Sequence, residues 1–264
     1  LYVKILESVK GTNLPSEKKW LYSVEPLAIK LFYHVGSVYY LCQGTKIGKM
    51  DRLNIDYIDH PTVAVITRCA FETYLTFYYV FISASNEEER RFRHKIWELG
   101  GICEQQKYPP FLESIRKHLD DIKDRKTIMI KDIKKENKYT KLNKKAKEEV
   151  ICGKWRYGNS WADLAEQAGF DKKMFRGIYA YLSEYAHTGN LSSNQIGSAI
   201  ARDDQLQLTG IAKHICMILI SHFIHSYSNI FTQCRQVLVE NPVLSQVAET
   251  WYRTFAELWH LNED

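Results

Sequence analysis

The stretch from Thr62 to Ala84 restricts the fold of this chain more than any other part of it. Its residues, TVAVITRCAFETYLTFYYVFISA, are apolar or aromatic on nearly every side of a helix, and Arg68 and Glu72 are its only charges. A helix without a polar face must be enclosed by other helices. The stretch therefore predicts a multi-helix bundle with this helix in its interior.

The rest of the chain has the same helical character. Glycine and proline are sparse, at 13 and 6 of 264 residues, and apolar residues recur with helical spacing, whereas alternating strand patterns are hard to find. We predict an all-α fold in a single domain, residues 1–264, with buried core helices near 61–84, 171–188 and 204–236. Further helices are predicted at 17–44, 86–106, 110–136, 160–169 and 241–260.

A Lys-rich segment interrupts this pattern. Between Lys123 and Glu149, ten Lys and one Arg stand against two Asp and three Glu, and this surplus of six charges matches the excess of the whole chain, which is +5. We predict an excursion or linker at about 123–158 within the single domain. Such a run is either a solvated helical surface or a phosphate-binding surface.

Cysteine usage and hydropathy bear on location and partners. The six cysteines are scattered, without a C-x-x-C pair or the spacing of a zinc site, which favours a reducing cytoplasm and predicts no structural metal. The two most apolar stretches, Thr62–Ala84 and His214–Phe231, carry charged or histidine residues and are predicted to be core helices. We therefore expect a cytoplasmic protein without a membrane partner and without a cofactor.

Arg68 and Glu72 lie four residues apart, on one face of the predicted helix 61–84. Burying either charge alone would cost several kcal/mol, so each must be paired, with the other or with a neighbouring helix. A structural ion pair and a functional site built on that pair both satisfy this requirement.

The segment RGIYAYLSEYAHTGN, residues 176–190, carries a second polar line. Arg176, Ala180, Ser183 and His187 fall within about 60° of each other at 100° per residue, while Tyr, Ile, Leu and Phe occupy the rest of the helix. This line is either the thin polar edge of an amphipathic helix or a stripe that faces a cleft.

The segment 213–234 carries a third polar line, which includes His225 among Ile, Met, Leu and Phe. Its histidines, with interleaved Ser and Asn, indicate a polar seam inside the bundle. His222 and His225 could bind a metal only with a carboxylate from another helix, so we predict no metal site.

Bundles form sites where facing helices project polar residues inward. We predict a site for an anion such as a phosphodiester, in which His187 moves protons and an Arg stabilises the negative charge of the phosphorane. The candidate catalytic residues are His187, Arg68, Glu72 and Ser183, and the candidate ligand-binding residues are Arg176, Tyr179 and His225.

Two motifs carry a resemblance to a known family. Arg68-x3-Glu72 in an early aromatic helix and Tyr179-x3-Ser183-x3-His187 before Gly189 together resemble a bacterial helical family of unknown function with an early R-x3-E and a late Y-x3-S-x3-H motif. The similarity covers about residues 55–235, although Thr188 stands where the family has Gly. The resemblance implies a shared site at these positions without naming its reaction.

More distantly, the chain resembles the HEPN-like helical proteins, many of which are metal-independent RNases or components of toxin and antiviral defence systems. Their signature of an Arg followed closely by a His has one match, Arg253-x6-His260, whereas the spacing from Arg176 to His187 is longer than that signature. This resemblance implies an RNA-directed effector, with RNA and a protein of the same system as partners. If the protein is an enzyme, it is expected to be a metal-independent endoribonuclease.

Two other functions stay open from the sequence. The protein could be a non-catalytic helical interaction module, alone or as a homo-oligomer, whose polar lines set the register of its helices. The segment 160–182 also resembles a helix-turn-helix motif for DNA binding, with Lys172, Lys173 and Arg176 at the start of its second helix. That second helix is apolar over most of its circumference, which disfavours a recognition helix.

Overall fold

A computed structural model of the chain describes residues 1–50, 53–107, 109 and 113–260, without the side chains of 47–50, 53–55, 113–116 and 254–260. Helices make up 78% of it, with almost no strand in the described residues. This result confirms the predicted all-α, multi-helix fold.

The chain divides into two compact units, unit 1 with residues 1–77 and 168–264, and unit 2 with residues 78–167. Unit 1 begins with α1 (Tyr2–Val9), a 3-10 helix (Ser16–Ser23), α2 (Val24–Leu41), β1 (Thr45–Met50), β2 (Leu53–Tyr57) and α3 (His60–Phe77). Unit 2 comprises a π-helix (Tyr78–Ile82), α4 (Glu87–Gln105), α5 (Glu113–Lys135), α6 (Asn137–Thr140), α7 (Lys144–Ile151) and α8 (Trp161–Gln167). Unit 1 resumes with α9 (Lys172–Ala186), α10 (Asn190–Ser198), α11 (Arg202–Leu208), α12 (Gly210–Ile230), α13 (Cys234–Glu240) and α14 (Pro242–His260).

The helix predicted at 204–236 is wrong in its extent, because the structure breaks it into α11, α12 and α13. The first break is at Thr209, which is buried and whose hydroxyl donates to the Leu206 carbonyl at 2.7 Å. The second is at Phe231, whose backbone is extended. A short antiparallel hairpin, β1 with β2, follows α2 and pairs Thr45 with Tyr57.

Helix α3 is enclosed, as its composition predicts. It contacts α2, α9 and α12. The Phe71 ring packs edge-on against Phe175 of α9, with 5.3 Å between the ring centroids. The side chains of Tyr74, Leu75 and Phe77 are fully buried. These apolar contacts hold α3 and α9 side by side, so polar residues at the edge of one helix can reach those of the other.

Helix α9 buries one face and exposes the other. Phe175 and Leu182 are buried, whereas Arg176 and Ala180 are exposed. The helix begins at Asp171, whose side chain accepts a hydrogen bond from the Met174 backbone N–H at 2.6 Å. The half-buried position of α9 leaves its polar line at the protein surface.

Helix α9 ends in a tight turn that includes a strained residue. The Gly189 N–H donates to the Glu184 carbonyl at 2.8 Å, and Thr188 has a left-handed φ of 55°. A residue with a left-handed φ is most often glycine. Gly189 instead precedes α10, and a Cβ there would lie 1.7 Å from Oε2 of Glu184. The missing side chain makes room for this carboxylate.

Helix α12 buries Ser221, His222, Ser226 and Ser228 among apolar residues, whereas His214, His225 and Asn229 of the predicted polar seam are exposed. By length and composition, the helical stretch Arg202–Ile230 would also suffice to cross a membrane. Half of its most apolar window is buried within the structure.

Unit 2 has a hydrophobic core of its own, to which the Lys-rich segment contributes. The segment forms the end of α5, then α6 and α7, with many of its Lys side chains exposed. The buried core residues are Phe92, Ile96, Leu99, Cys103, Ile133, Tyr139 and Val150, the last three from this segment. The residues interpreted as an excursion therefore lie in packed helices of unit 2.

Candidate functional site

Two side chains that lie 119 positions apart in the sequence meet at the edge of α3 and α9. Nη1 of Arg68 lies 3.1 Å from Nε2 of His187, and Nε of Arg68 donates to Oε1 of Glu72 at 3.2 Å. Together with Tyr179, these residues form one hydrogen-bonded group, here called the Arg–His cluster.

The Tyr179 side chain connects the two helices through its hydroxyl and through the face of its ring. Its hydroxyl donates to Oε1 of Glu72 at 2.5 Å, the same oxygen that accepts from Arg68. The Arg68 guanidinium lies over the Tyr179 ring, with Cζ 4.8 Å from the centroid, which is the geometry of a cation–π contact. Arg68 is thus restrained by Glu72 along its edge and by Tyr179 beneath its plane.

The cluster is half-buried, with His187 exposed to solvent. The side chains of Arg68 and Glu72 are 20% and 29% exposed. Burial opposes the charge of Arg68, but the Tyr179 hydroxyl and the Glu72 carboxylate outweigh that effect and raise its pKa. Burial and the hydrogen bond to Glu72 raise the pKa of Tyr179 to about 12, so its hydroxyl is protonated at neutral pH.

The contact between Arg68 and His187 defines the protonation of the imidazole. All nitrogens of a guanidinium donate hydrogen bonds, so Nε2 of His187 must accept in this contact. Within this contact the imidazole proton is assigned to Nδ1 from the hydrogen bonding. The basic nitrogen of His187 is therefore covered by Arg68, and a ligand that draws Arg68 away would uncover it.

The other predicted site residues lie outside these contacts. The Ser183 hydroxyl donates to the Tyr179 carbonyl of its own helix at 2.6 Å. Arg176 is exposed on the outer face of α9. His225 stacks on Tyr252 of α14, with centroids 4.3 Å apart, and no hydrogen bond or ring contact between described residues joins it to the cluster.

The helix predicted at 171–188 ends close to the observed end of α9, but the conformation of the turn that carries His187 was not predicted. His187 caps α9, and the strained Thr188 and the contact of Glu184 with Gly189 hold the chain directly after it. The one signal in the sequence is the Thr-Gly pair after His187, which marks a helix end but does not tell which residue takes the left-handed conformation.

Three further sequence predictions can be located. Across residues 1–50, 53–107, 109 and 113–260, no three His, Cys, Asp or Glu side chains are grouped as metal ligands. Arg253 pairs with Glu249 at 2.6 Å, while the side chain of His260 lies outside the described residues. The segment 160–182, interpreted as a helix-turn-helix motif, contains α8 and the first part of α9.

These contacts define an all-α protein in which two packed helices, α3 and α9, present an Arg–Glu–Tyr–His cluster at a partly exposed edge. The chain belongs to the family of unknown function DUF5677, whose model matches residues 54–205 and so includes the whole cluster. This match confirms the predicted family of unknown function and gives no support to the HEPN-like resemblance or to a nuclease or toxin role. No curated protein and no solved structure matches the chain.

Proposed function

We propose that the protein is an RNA-directed effector of a defence or toxin system, which binds a phosphodiester at the Arg–His cluster and cleaves it without a metal ion. The observation that carries the proposal is the contact of Arg68 with His187 at an exposed edge. It combines an anion-binding fork with an acid–base group, and these are the two groups that phosphoryl transfer needs when no metal is used. We place this effector in the cytoplasm, with a protein of the same system as its partner.

Binding of a phosphate would change the partner of Arg68. A phosphate oxygen is charged and accepts a guanidinium fork in two parallel hydrogen bonds, so it competes well with a neutral imidazole nitrogen. When Arg68 turns to the phosphate, Nε2 of His187 becomes free. Binding of the substrate phosphate thereby frees the imidazole nitrogen that acts as the base.

The freed imidazole has a defined task in RNA cleavage. Nε2 of His187 takes the proton of the ribose 2′-hydroxyl, and the 2′-oxygen forms a bond to phosphorus while the bond to the 5′-oxygen breaks. Arg68 stabilises the charge on the phosphorane oxygens. The 5′-oxygen takes a proton from the imidazolium, and the products are a 2′,3′-cyclic phosphate and a 5′-hydroxyl.

Glu72 and Tyr179 are positioning residues in this proposal. Glu72 holds Nε of Arg68, which leaves both terminal nitrogens to face His187 or a ligand. Tyr179 supports the guanidinium plane and orients the Glu72 carboxylate. Ser183 acts only through its bond to the Tyr179 carbonyl.

The test is RNA cleavage by the purified protein in EDTA, with the ends of the products identified. The wild type is expected to form 2′,3′-cyclic phosphate ends. His187→Ala should lower the rate at least ~100-fold. Its melting temperature should stay close to that of the wild type, since His187 is exposed. The matched control is His118→Ala, an exposed histidine of α5, which should cleave at the wild-type rate.

Arg68→Lys separates charge from geometry. It keeps the cation but loses the fork, so RNA binding and cleavage should both fall if Arg68 holds a phosphate. A wild type that neither cleaves RNA nor binds it more tightly than Arg68→Lys would show that the proposal is wrong. In that case the cluster would be a structural ion pair, and Arg68→Lys would lower only the melting temperature.

A further inference from the structure

Helix α2 presents an apolar face to solvent. The exposed fractions of Phe32, Tyr33, Tyr39 and Tyr40 are 40%, 65%, 63% and 73%. At 100° per residue these four side chains lie within about 60° of Gly36, on the side opposite the buried Leu31 and Val38. We call these four residues with Gly36 the aromatic face; Tyr2 of α1 stacks on Phe32 at one end, with ring centroids 6.0 Å apart, and the three tyrosines stay largely exposed.

The aromatic face is symmetric about its centre. Phe32 and Tyr33 precede Gly36 by four and three residues, and Tyr39 and Tyr40 follow it by three and four. If two copies of α2 cross antiparallel at Gly36, a two-fold axis passes through the crossing point. Phe32 and Tyr33 of one copy then face the Tyr39–Tyr40 pair of the other. A surface that contacts itself in this way is what a two-fold dimer requires.

The position of Gly36 is compatible with such a crossing. A glycine inside a helix costs about 1 kcal/mol relative to alanine. A Cβ at this position would meet no atom within 4 Å, so nothing inside the described part of the chain makes use of its absence. A helix that crosses α2 at Gly36 would use it, because a residue without a side chain lets two helix axes approach closely.

The exposed area is sufficient for an interface. Taking about 200 Å² for a whole aromatic side chain, the four rings expose roughly 500 Å² per copy. Two copies would then bury roughly 1,000 Å², which reaches the lower limit for a biological interface. The exposed polar residues Glu25 and Gln43 bound the face at its two ends, as the rim of an interface does.

We propose that the aromatic face is the interface of a homodimer in which the two α2 helices cross antiparallel at Gly36. The proposal does not depend on the function of the Arg–His cluster. An interface at the lower limit of size is expected to be weak, so we expect the dimer to form over about 1 to 100 μM protein.

Sedimentation velocity over that range tests the association. The wild type should shift from monomer to dimer, whereas Tyr33→Lys and Tyr40→Lys should raise the dissociation constant at least ~10-fold, because each buries an unpaired charge. The matched control is Ile128→Lys in unit 2, where the wild-type side chain is 62% exposed, and it should dimerise like the wild type. Circular dichroism checks that all variants are folded.

Cross-linking tests the antiparallel arrangement. In a Cys152→Ser background, which removes an exposed thiol, Tyr33→Cys and Tyr39→Cys proteins are mixed and treated with a short bismaleimide. Positions 33 and 39 of opposite copies face each other across Gly36, so the mixture should link faster than either variant alone. Three results would overturn the proposal. The wild type could stay monomeric, both in buffer and with lipid vesicles, or both lysine variants could dimerise like the wild type. The third is that each cysteine variant alone cross-links faster than the mixture.

Discussion

His187 accepts a hydrogen bond from Arg68 only while its Nε2 carries no proton. We therefore expect the Nδ1–H tautomer in the folded protein, instead of the Nε2–H tautomer that free histidine prefers. Nitrogen-15 NMR of the imidazole distinguishes the two. In Arg68→Ala, which removes the donor, His187 should return to the Nε2–H tautomer, whereas Arg235→Ala, at an exposed residue of α13, should leave it unchanged.

Burial of His222 makes the free energy of unfolding of unit 1 depend on pH. Burial, with a smaller effect of His225, lowers the pKa of His222 from 6.5 to about 4. A histidine with a depressed pKa stabilises the fold above pH 6.5, and this stabilisation is lost as the pH falls through 4, because the unfolded chain takes up the proton first. The loss between pH 6.5 and 4 amounts to roughly 3 kcal/mol at full effect.

Urea unfolding at pH 7 and pH 5 measures that loss. His222→Gln should unfold with less dependence on pH than the wild type, whatever its stability at pH 7. His118→Gln, at an exposed histidine, should keep the wild-type difference. An unchanged pH dependence in His222→Gln would show that another group is responsible, and His94 of unit 2 is the next to test, since burial also lowers its pKa to about 4.

At the residue scale, sequence predicts which side chains share a helix face but not which acceptor each one takes. The spacing of Arg68 and Glu72 predicts their pairing, and the structure shows it. The Ser183 hydroxyl, however, has a carbonyl of its own helix within reach, and His225 finds Tyr252 of α14. Such choices depend on local competition and on helix crossings that periodicity does not contain.

At the element scale, the turn after α9 stores strain that a substitution can release. Thr188 is β-branched and left-handed, with φ of 55°, a conformation that costs non-glycine residues about 1 to 2 kcal/mol. Thr188→Gly should stabilise the protein by about 0.5 to 1 kcal/mol after the larger entropy of the unfolded glycine chain is subtracted. Thermal or urea unfolding measures this gain.

A matched glycine two positions earlier serves as the control. Ala186→Gly, at an exposed position in the last turn of α9, should destabilise by up to about 1 kcal/mol, since this residue has helical backbone angles. If Thr188→Gly destabilised the protein to the same degree, the turn would not be strained.

The starts and ends of helices could be predicted where a capping residue or a change of composition marks them, and they were missed elsewhere. Asp171 marks the start of α9 in the sequence, and the structure shows it as the cap. In the stretch 204–236, Thr209 and Gly210 form the same Thr-Gly pair that follows His187, so the first break has a signal in the sequence that the periodic pattern of apolar residues hides. The second break, at Phe231, has no counterpart in that pattern. The hairpin of β1 and β2 was missed because β1, TKIGKM, has no regular alternation, although β2, LNIDY, alternates apolar and polar residues as a strand does.

At the scale of the whole molecule, each unit has its own core, so damage to one should stay in that unit. Leu99 is fully buried in unit 2, and Leu99→Ala should cost about 2 to 5 kcal/mol there. Hydrogen exchange should then quicken within residues 78–167 and stay unchanged in α3 and α9. Equal quickening in both units would show that they unfold together.

The order of the chain has a consequence for synthesis on the ribosome. Arg68 lies in α3 and His187 at the end of α9, and all of unit 2 lies between them in the sequence. Contacts of such high sequence separation close a long loop and form late in folding. A nascent chain that has passed α3 carries the Arg68–Glu72 pair without Tyr179 and His187 until more than a hundred further residues have emerged. Any activity that needs both helices is therefore withheld until α9 has left the ribosome.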